Sequence, residues 1–162
     1  MAKQDFPALL PIGFHPMTKS EMKLRLVDAF PGSKRRPMIM GGFERLVQQL
    51  IDGQVTGQFW IDGSFLTKKI EPDDADVLLL VDGKLYDTAS KAPTSQQVLI
   101  DWVGRRKSDI REKYLCHSFV HWVYDPGHPE HVDSQWKHAF WLRQFGFGHN
   151  AGAKGIATFQ FP

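Results

Sequence analysis

The sequence is poor in cysteine and has no long apolar run, and these two shortages limit what kind of protein it can be. A single cysteine, Cys116, among 162 residues excludes an internal disulfide and favours a reducing compartment. The longest apolar run, at residues 77–81, is far shorter than the roughly 20 residues that a membrane-spanning helix requires. The first residues lack the apolar region of a signal peptide. We therefore expect a cytoplasmic protein without a membrane segment.

The chain also has little net charge and no internal repeat. Its formal net charge is +2, which is too small to indicate a nucleic-acid partner. Two short basic groups, at residues 34–36 and 105–107, are typical of solvated faces, but beside a phosphate site they would favour nucleic-acid binding. Strong salt dependence of binding would reveal that second role. Hydrophobic residues make up 42% and charged residues 23%, as in an ordinary soluble domain of this length.

Helical and strand patterns are interleaved along the chain. Thr18 and Glu21 form a predicted capping box for a helix that ends near Ala29. Local patterns predict further helices at about 37–51, 94–114 and 134–145, and strands at 58–61, 75–81, 119–123 and 155–161. We therefore expect one α/β (α+β) domain over residues 1–162, with a mixed sheet flanked by helices. The segment at about 1–17 is rich in turn residues and is predicted to be irregular.

The stretch between the first two predicted strands carries the candidate chemistry. Gly63 and Ser64 follow the first strand, where glycine permits close approach of a phosphate that backbone N–H groups and the serine hydroxyl can cradle. Asp74 and Asp76 lie two residues apart at the start of the next strand, so both side chains are expected on one face. Mg²⁺ prefers such carboxylate oxygens and shares them with substrate phosphates. Together these residues predict a site for a metal-bound nucleoside triphosphate.

Each of these features also has a purely structural interpretation. Gly63 and Ser64 could form a plain turn, and Lys68 could be a solvated lysine rather than a phosphate contact. Five histidines lie between residues 117 and 138, but their irregular spacing and the single cysteine beside them argue against a zinc cluster. The tryptophans in the second half of the chain fit a packed core or a partner surface better than a platform for base stacking.

The pairing of Gly63-Ser64 with Asp74-Ala75-Asp76-Val77 about ten residues later resembles the signature of the DNA polymerase beta-type nucleotidyltransferase superfamily. The likeness extends over nearly the whole chain to a group of short bacterial nucleotidyltransferase-like proteins. The segments that carry it are Leu10-Pro-Ile-Gly-Phe-His-Pro-Met-Thr18, Asp62-Gly-Ser-Phe-Leu-Thr-Lys-Lys69, Trp141-Leu-Arg-Gln-Phe145 and Lys154-Gly-Ile156.

This resemblance implies a nucleotidyltransferase-like fold and a Mg²⁺-dependent enzyme. The enzyme would move a nucleoside monophosphate from a triphosphate, most naturally ATP, to a hydroxyl of a protein or a nucleic acid. Asp74 and Asp76 would hold the metal, Gly63 and Ser64 would bind the triphosphate, and a lysine would offset its charge; the two lysines that match are Lys68 and Lys154. Small proteins of this superfamily often occur in bacterial toxin–antitoxin or phage-defence pairs, so a partner protein is a natural acceptor.

The sequence departs from the superfamily pattern at the third catalytic carboxylate. His117 stands where that residue is expected, and Asp125 is the nearest substitute. Neutral histidine is a poor ligand for Mg²⁺, although it is well suited to act as a general base. Two interpretations therefore stay open: an enzyme in which His117 is catalytic, and a weakened domain that binds a nucleotide or a partner without turnover.

Overall fold

A five-stranded mixed sheet forms the centre of the computed structural model, which describes residues 5–85, 93–150 and 152–162. The strands are β1 (Gly13–Pro16), β2 (Gly57–Asp62), β3 (Ala75–Asp82), β4 (Cys116–Val123) and β5 (Gly155–Phe161). The helices are α1 (Lys19–Lys23), α2 (Arg35–Asp52), α3 (Ser95–Arg105), α4 (Lys107–Tyr114) and α5 (His131–Phe145), with a π-helical turn at Leu24–Asp28 and 3-10 turns at Ser64–Leu66 and Gly83–Leu85. The predicted mixed α/β fold is confirmed.

The strand order brings four strand ends to one edge of the sheet. The order is β1-β5-β2-β3-β4, with β1 parallel to β5 and β3 parallel to β4. β2 is antiparallel to both of its neighbours, β5 and β3. The end of β2 therefore lies beside the starts of β3, β4 and β5, and this edge carries most of the residues that the sequence marks as candidates.

The two faces of the sheet are covered by different helices. Alternating strand residues such as Val77 and Leu79 face a large core that includes buried side chains from the first four helices. The intervening residue Leu78 faces a smaller cluster on the other side, where it packs with Trp60, Ile156 and Phe145 of α5. The sheet thus separates a thick helical layer from a single helix, and the space beside that single helix is open enough for a cavity.

Several boundaries agree with the sequence patterns. The capping box at Thr18 is confirmed, because its hydroxyl accepts the backbone N–H of Glu21 and the Glu21 carboxylate accepts the N–H of Thr18. The helix continues through the π-helical turn and closes where the N–H of Ala29 donates to the carbonyl of Leu24 at 3.2 Å. The predicted strand at 155–161 is confirmed as β5.

Three predictions of local structure need correction. The N-terminal segment, predicted to be irregular, contains strand β1, whose residues pair with β5 from Gly13 with Gly155 to Pro16 with Thr158. The helix predicted at 94–114 is two helices, because Arg106 leaves the helical conformation at ψ 51°. Strand β4 also begins at Cys116, earlier than predicted, so that His117 belongs to the strand.

The helices of the described part of the chain are too short or too polar to span a bilayer. None of those helices meets the length and apolarity that a membrane-crossing segment needs.

Candidate functional site

A cavity of about 840 Å³ opens at the sheet edge where β2 ends and β3, β4 and β5 begin. It also reaches α5 and the segment before β1. Five of the residues singled out in the sequence line it, namely Gly63, Ser64, Asp76, His117 and Lys154. Residues that are distant in sequence therefore meet at one place, as expected from the strand ends.

Gly63 makes the closest approach in the site. Its φ of +83° lies in the left-handed region, and a Cβ built on it would lie only 2.4 Å from Oδ2 of Asp76. The register explains this contact, because Asp62 at the end of β2 pairs directly with Asp76 on β3. Glycine is therefore required here for both its backbone conformation and its lack of a side chain. Ser64 follows at once and begins a 3-10 turn at the cavity wall.

Asp76 and His117 form the polar centre of the cavity wall. They are direct partners in the parallel register of β3 and β4, and Nδ1 of His117 lies 3.1 Å from Oδ1 of Asp76. Both side chains are partly exposed, at 38% and 39%. The carboxylate orients the imidazole and leaves Nε2 as the second ring nitrogen for other partners.

Asp74 has a different environment from Asp76. It precedes the first residue of β3, and its Oδ2 forms an ion pair with Nε of Arg111 on α4 at 2.6 Å. Its side chain is only 15% exposed, and it lies outside the cavity lining. The two-residue spacing predicts that both aspartates lie in one site. The structure instead pairs the carboxylate of Asp74 with Arg111 of α4, outside the cavity that Asp76 lines.

Asp62 is a site residue that sequence reasoning missed. It is 4% exposed, lines the cavity, and pairs through Oδ2 with Nζ of Lys154 at 2.6 Å. Its Oδ1 is also buried and has no hydrogen-bond partner of normal geometry in the part of the chain that the structure describes. Burial raises the pKa of Asp62 to about 6, with Lys154 opposing that rise and Asp76 adding to it. The signal in the sequence was a charged residue at the end of the apolar strand β2.

The remaining candidates lie away from the cavity lining. Lys68 is exposed, and its backbone N–H donates to the carbonyl of Pro7 at 2.8 Å. Asp125 follows the far end of β4 and pairs with Lys84. Because His117 is near the start of the same strand, Asp125 is roughly 20 Å or more from it along the strand. Asp125 therefore cannot replace the carboxylate that is expected at His117.

A buried arginine supports the loop that follows Ser64. Arg36 is 0% exposed, and its guanidinium donates to four backbone carbonyls, one in the π-helical turn and three in this loop. The acceptors are the carbonyls of Leu26, Phe65, Thr67 and Lys69. Burial lowers the pKa of Arg36 to about 10. The basic group at 34–36 is therefore not wholly a solvated face, since Arg36 is part of the core.

The far wall of the cavity is aromatic. Phe119 of β4 and Trp141 of α5 lie with ring centroids 4.9 Å apart, and Phe145 contacts both rings. All three side chains line the cavity, together with the half-exposed ring of Phe140. The cavity therefore has a charged end at the strand edge and an apolar end against α5.

No curated protein and no solved structure matches this chain. The resemblance to nucleotidyltransferases therefore stays a prediction. One family model does match: it covers residues 3–160 and is described as a family of unknown function (DUF6932). The chain belongs to that family.

Proposed function

We propose that this protein is a Mg²⁺-dependent nucleotidyltransferase that uses a nucleoside triphosphate, most naturally ATP. The main support is the meeting of Gly63-Ser64 with Asp76, His117 and Lys154 at one cavity, although these residues come from four separate strand ends. A phosphate-binding turn, an oxygen ligand, a basic ring nitrogen and a cation are the parts that phosphoryl-type transfer requires.

The donor atoms of the site fit a hard cation. Asp76 offers partly exposed carboxylate oxygens, and Oδ1 of Asp62 is a buried oxygen that lacks a partner among the described residues. Within those same residues there is no group of three or more His, Cys, Asp or Glu side chains placed to hold a metal ion. Phosphate oxygens would therefore have to complete the coordination, as is usual for Mg²⁺. With Asp76, the resemblance assigns Asp74 as the second ligand.

Each residue would have a separate role in the transfer. The Gly63-Ser64 turn would place backbone N–H groups and the Ser64 hydroxyl against the triphosphate, while Lys154 would lie beside its negative charge. A bound Mg²⁺ would supply charge neutralisation at the phosphates. Nε2 of His117 would accept the proton of the attacking hydroxyl, whose oxygen forms the new bond to the α-phosphorus as the bond to the pyrophosphate breaks.

The aromatic wall is suited to the nucleoside part of the substrate. Trp141 and Phe119 present ring faces and edges to the cavity, and stacking of a base on such a ring contributes about 1–3 kcal/mol. Inorganic triphosphate lacks a base, so it should bind more weakly than ATP. A Trp141→Ala variant should reduce this difference while keeping the charged end of the cavity intact.

The test is thermal stabilisation followed by labelled transfer. Mg²⁺ with a non-hydrolysable triphosphate should raise the melting temperature of the wild type, since a ligand that binds only the folded state stabilises it by about 2.7 kcal/mol at a hundredfold excess over Kd. Asp76→Asn should abolish the shift, and Asp82→Asn, at the other end of β3, is the matched control. Equal shifts in the wild type and in Asp76→Asn would refute the proposed site.

A second candidate function is nucleotide or partner binding without turnover. It is favoured by the ion pair between Asp74 and Arg111 and by the histidine in the third catalytic position. Labelled-triphosphate transfer by His117→Asp and His117→Ala variants separates the two candidates. Gain of transfer in the aspartate variant would indicate a decayed metal site, whereas loss in the alanine variant would indicate that His117 is the base.

The acceptor is proposed to be a hydroxyl on a protein, and a toxin–antitoxin or phage-defence partner is the natural source that the resemblance offers. A nucleic-acid acceptor is less well supported, because Arg36 of the first basic group is buried and cannot contact a phosphate backbone. Binding of oligonucleotides at two salt concentrations would test that alternative directly.

A further inference from the structure

We infer that Asp62, rather than Asp74, is the second carboxylate that binds the divalent cation beside Asp76. This inference rests on the proposed function and deepens it. It changes the ligand set from Asp74 and Asp76, which are two residues apart in sequence, to one residue from each of the neighbouring strands β2 and β3.

The geometry of the sheet supports this assignment. Asp62 and Asp76 are direct partners across the antiparallel pair of β2 and β3. Directly opposed residues of such a pair have Cβ atoms about 4.5–5.5 Å apart and project on the same face. Both side chains line the cavity. Two carboxylates at this separation can share one cation, whereas without a cation they repel each other.

The unpartnered oxygen of Asp62 is the second observation. Asp62 is 4% exposed, yet Oδ1 has no hydrogen-bond partner of normal geometry among the described residues, while Oδ2 pairs with Lys154. The backbone N–H of Gly63 also interacts with this carboxylate and lowers the pKa of Asp62, against the larger effect of burial. A buried carboxylate oxygen without a partner is costly unless a ligand completes its interactions. The two oxygens thus have separate tasks: Oδ2 is fixed in place by Lys154, and Oδ1 is available to a cation in the cavity.

The environment of Asp74 argues against its use as a ligand. Its carboxylate is already paired with Arg111 at 2.6 Å, and it lies outside the cavity lining. Both aspartates form an ion pair through Oδ2, but the side chain of Asp62 lines the cavity and that of Asp74 does not. A cation held by Asp74 would therefore lie outside the cavity that Asp76 and the Gly63-Ser64 turn line.

The experiment measures Mn²⁺ binding to the full chain by electron paramagnetic resonance, with and without inorganic triphosphate. Mn²⁺ serves as the probe because it accepts the same oxygen ligands as Mg²⁺. Asp62→Asn and Asp76→Asn should each weaken Mn²⁺ binding by about tenfold or more, in line with losses seen when groups at metal sites are removed. Asp74→Asn should change it by less than about twofold.

A second variant protects this test against misfolding. Asp62→Asn leaves the buried Lys154 without a counter-charge, so Asp62→Asn with Lys154→Met removes both charges together. Circular dichroism shows which of the two variants is folded, and that variant is titrated with Mn²⁺ alone, because Lys154 is itself placed beside the triphosphate. Weak Mn²⁺ binding in it, with near-normal binding in Asp74→Asn, supports the inference.

Two other results overturn the inference and can be told apart. A loss in Asp74→Asn as large as that in the Asp62 variant would return the ligand role to Asp74 and leave the proposed function standing. Absence of Mn²⁺ binding to the wild type, even with triphosphate present, would remove both the inference and the proposed function.

Discussion

At the scale of single residues, Gly63 is constrained twice, by its backbone angle and by its neighbour. We expect Gly63→Ala to lower the free energy of unfolding by about 3 kcal/mol, because it adds both left-handed strain and a clash with Asp76. Gly127→Ala is the matched control, since Gly127 has φ +92° and open space around it. Gly127→Ala should lower the free energy of unfolding only by the backbone strain, about 1 kcal/mol. Urea denaturation measures the free energy of unfolding of both variants. Equal losses in the two variants would contradict the close approach of Gly63 to Asp76.

A buried histidine gives the protein a pH-dependent stability. His121 is 2% exposed, and burial, with smaller contributions from His138 and Lys137, lowers its pKa to about 4 from the usual 6.5. The unfolded chain therefore binds a proton between these values that the folded chain does not. Stability from this group is complete above about pH 6.5 and is lost as the pH falls toward 4.

The corresponding prediction compares denaturation curves across this pH range. The wild type should lose no more than about 3 kcal/mol through His121 between pH 7 and pH 4, since one pKa unit corresponds to about 1.4 kcal/mol. His121→Phe keeps an aromatic ring and should flatten the curve. His149→Gln changes an exposed histidine and should follow the wild type. Parallel curves for the wild type and His121→Phe would exclude this explanation.

At the scale of elements, α2 is joined to the loop after the Gly63-Ser64 turn by the guanidinium of Arg36. Arg36→Met should lower the free energy of unfolding by about 3 kcal/mol or more, because buried carbonyls of the loop at 65–69 lose their donor. It should also weaken triphosphate binding, since Ser64 begins that loop. Lys34→Met, on an exposed neighbour, should leave both properties unchanged. Normal triphosphate affinity in folded Arg36→Met would show that the loop does not depend on this anchor.

Elements with their own strong pattern could be predicted from the sequence, and elements that depend on a distant partner could not. β3 has an apolar run, β5 is rich in β-branched and aromatic residues, and the helix at Thr18 has a complete capping box, so local chemistry alone predicts them. β1 contains glycine and proline and no alternation, and it is a strand because it pairs with β5. The break at Arg106 has a local cause instead, since its side chain pairs with Asp109 three residues later at the start of α4, and the apolar pattern that continues across the break conceals it.

The candidate site was likewise predictable only in part, where local spacing and strand register determine it. Gly63, Ser64 and Asp76 follow from the spacing of a turn and a strand, and β-strand register then places His117 beside Asp76. The partners of Asp74 and Asp62 do not follow from spacing. Arg111 and Lys154 reach those carboxylates from α4 and from the residue before β5, and only the tertiary fold brings them there.

At the scale of the whole molecule, β5 is the strand that holds the sheet together. It lies between β1 and β2, and its residues Ile156, Ala157 and Phe161 are buried. A variant that ends at Lys154 should therefore fail to fold, because it removes this apolar surface and leaves β1 without a partner. Circular dichroism and amide dispersion in an NMR spectrum measure the result. Removal of Pro162 alone is the control, and a folded shorter variant would contradict this view of the sheet.

The insertion of β5 between β1 and β2 also fixes when the site can form during translation. Gly13 is synthesised well before its strand partner Gly155, and the residues of β2, β3 and β4 are all made between them. At synthesis rates of about 5–20 residues per second, the nascent chain waits for seconds with an unpaired strand and with Asp62 still lacking Lys154. A chain that stops before Lys154 would therefore carry the whole Gly63–Asp76 motif and yet lack part of the cavity wall.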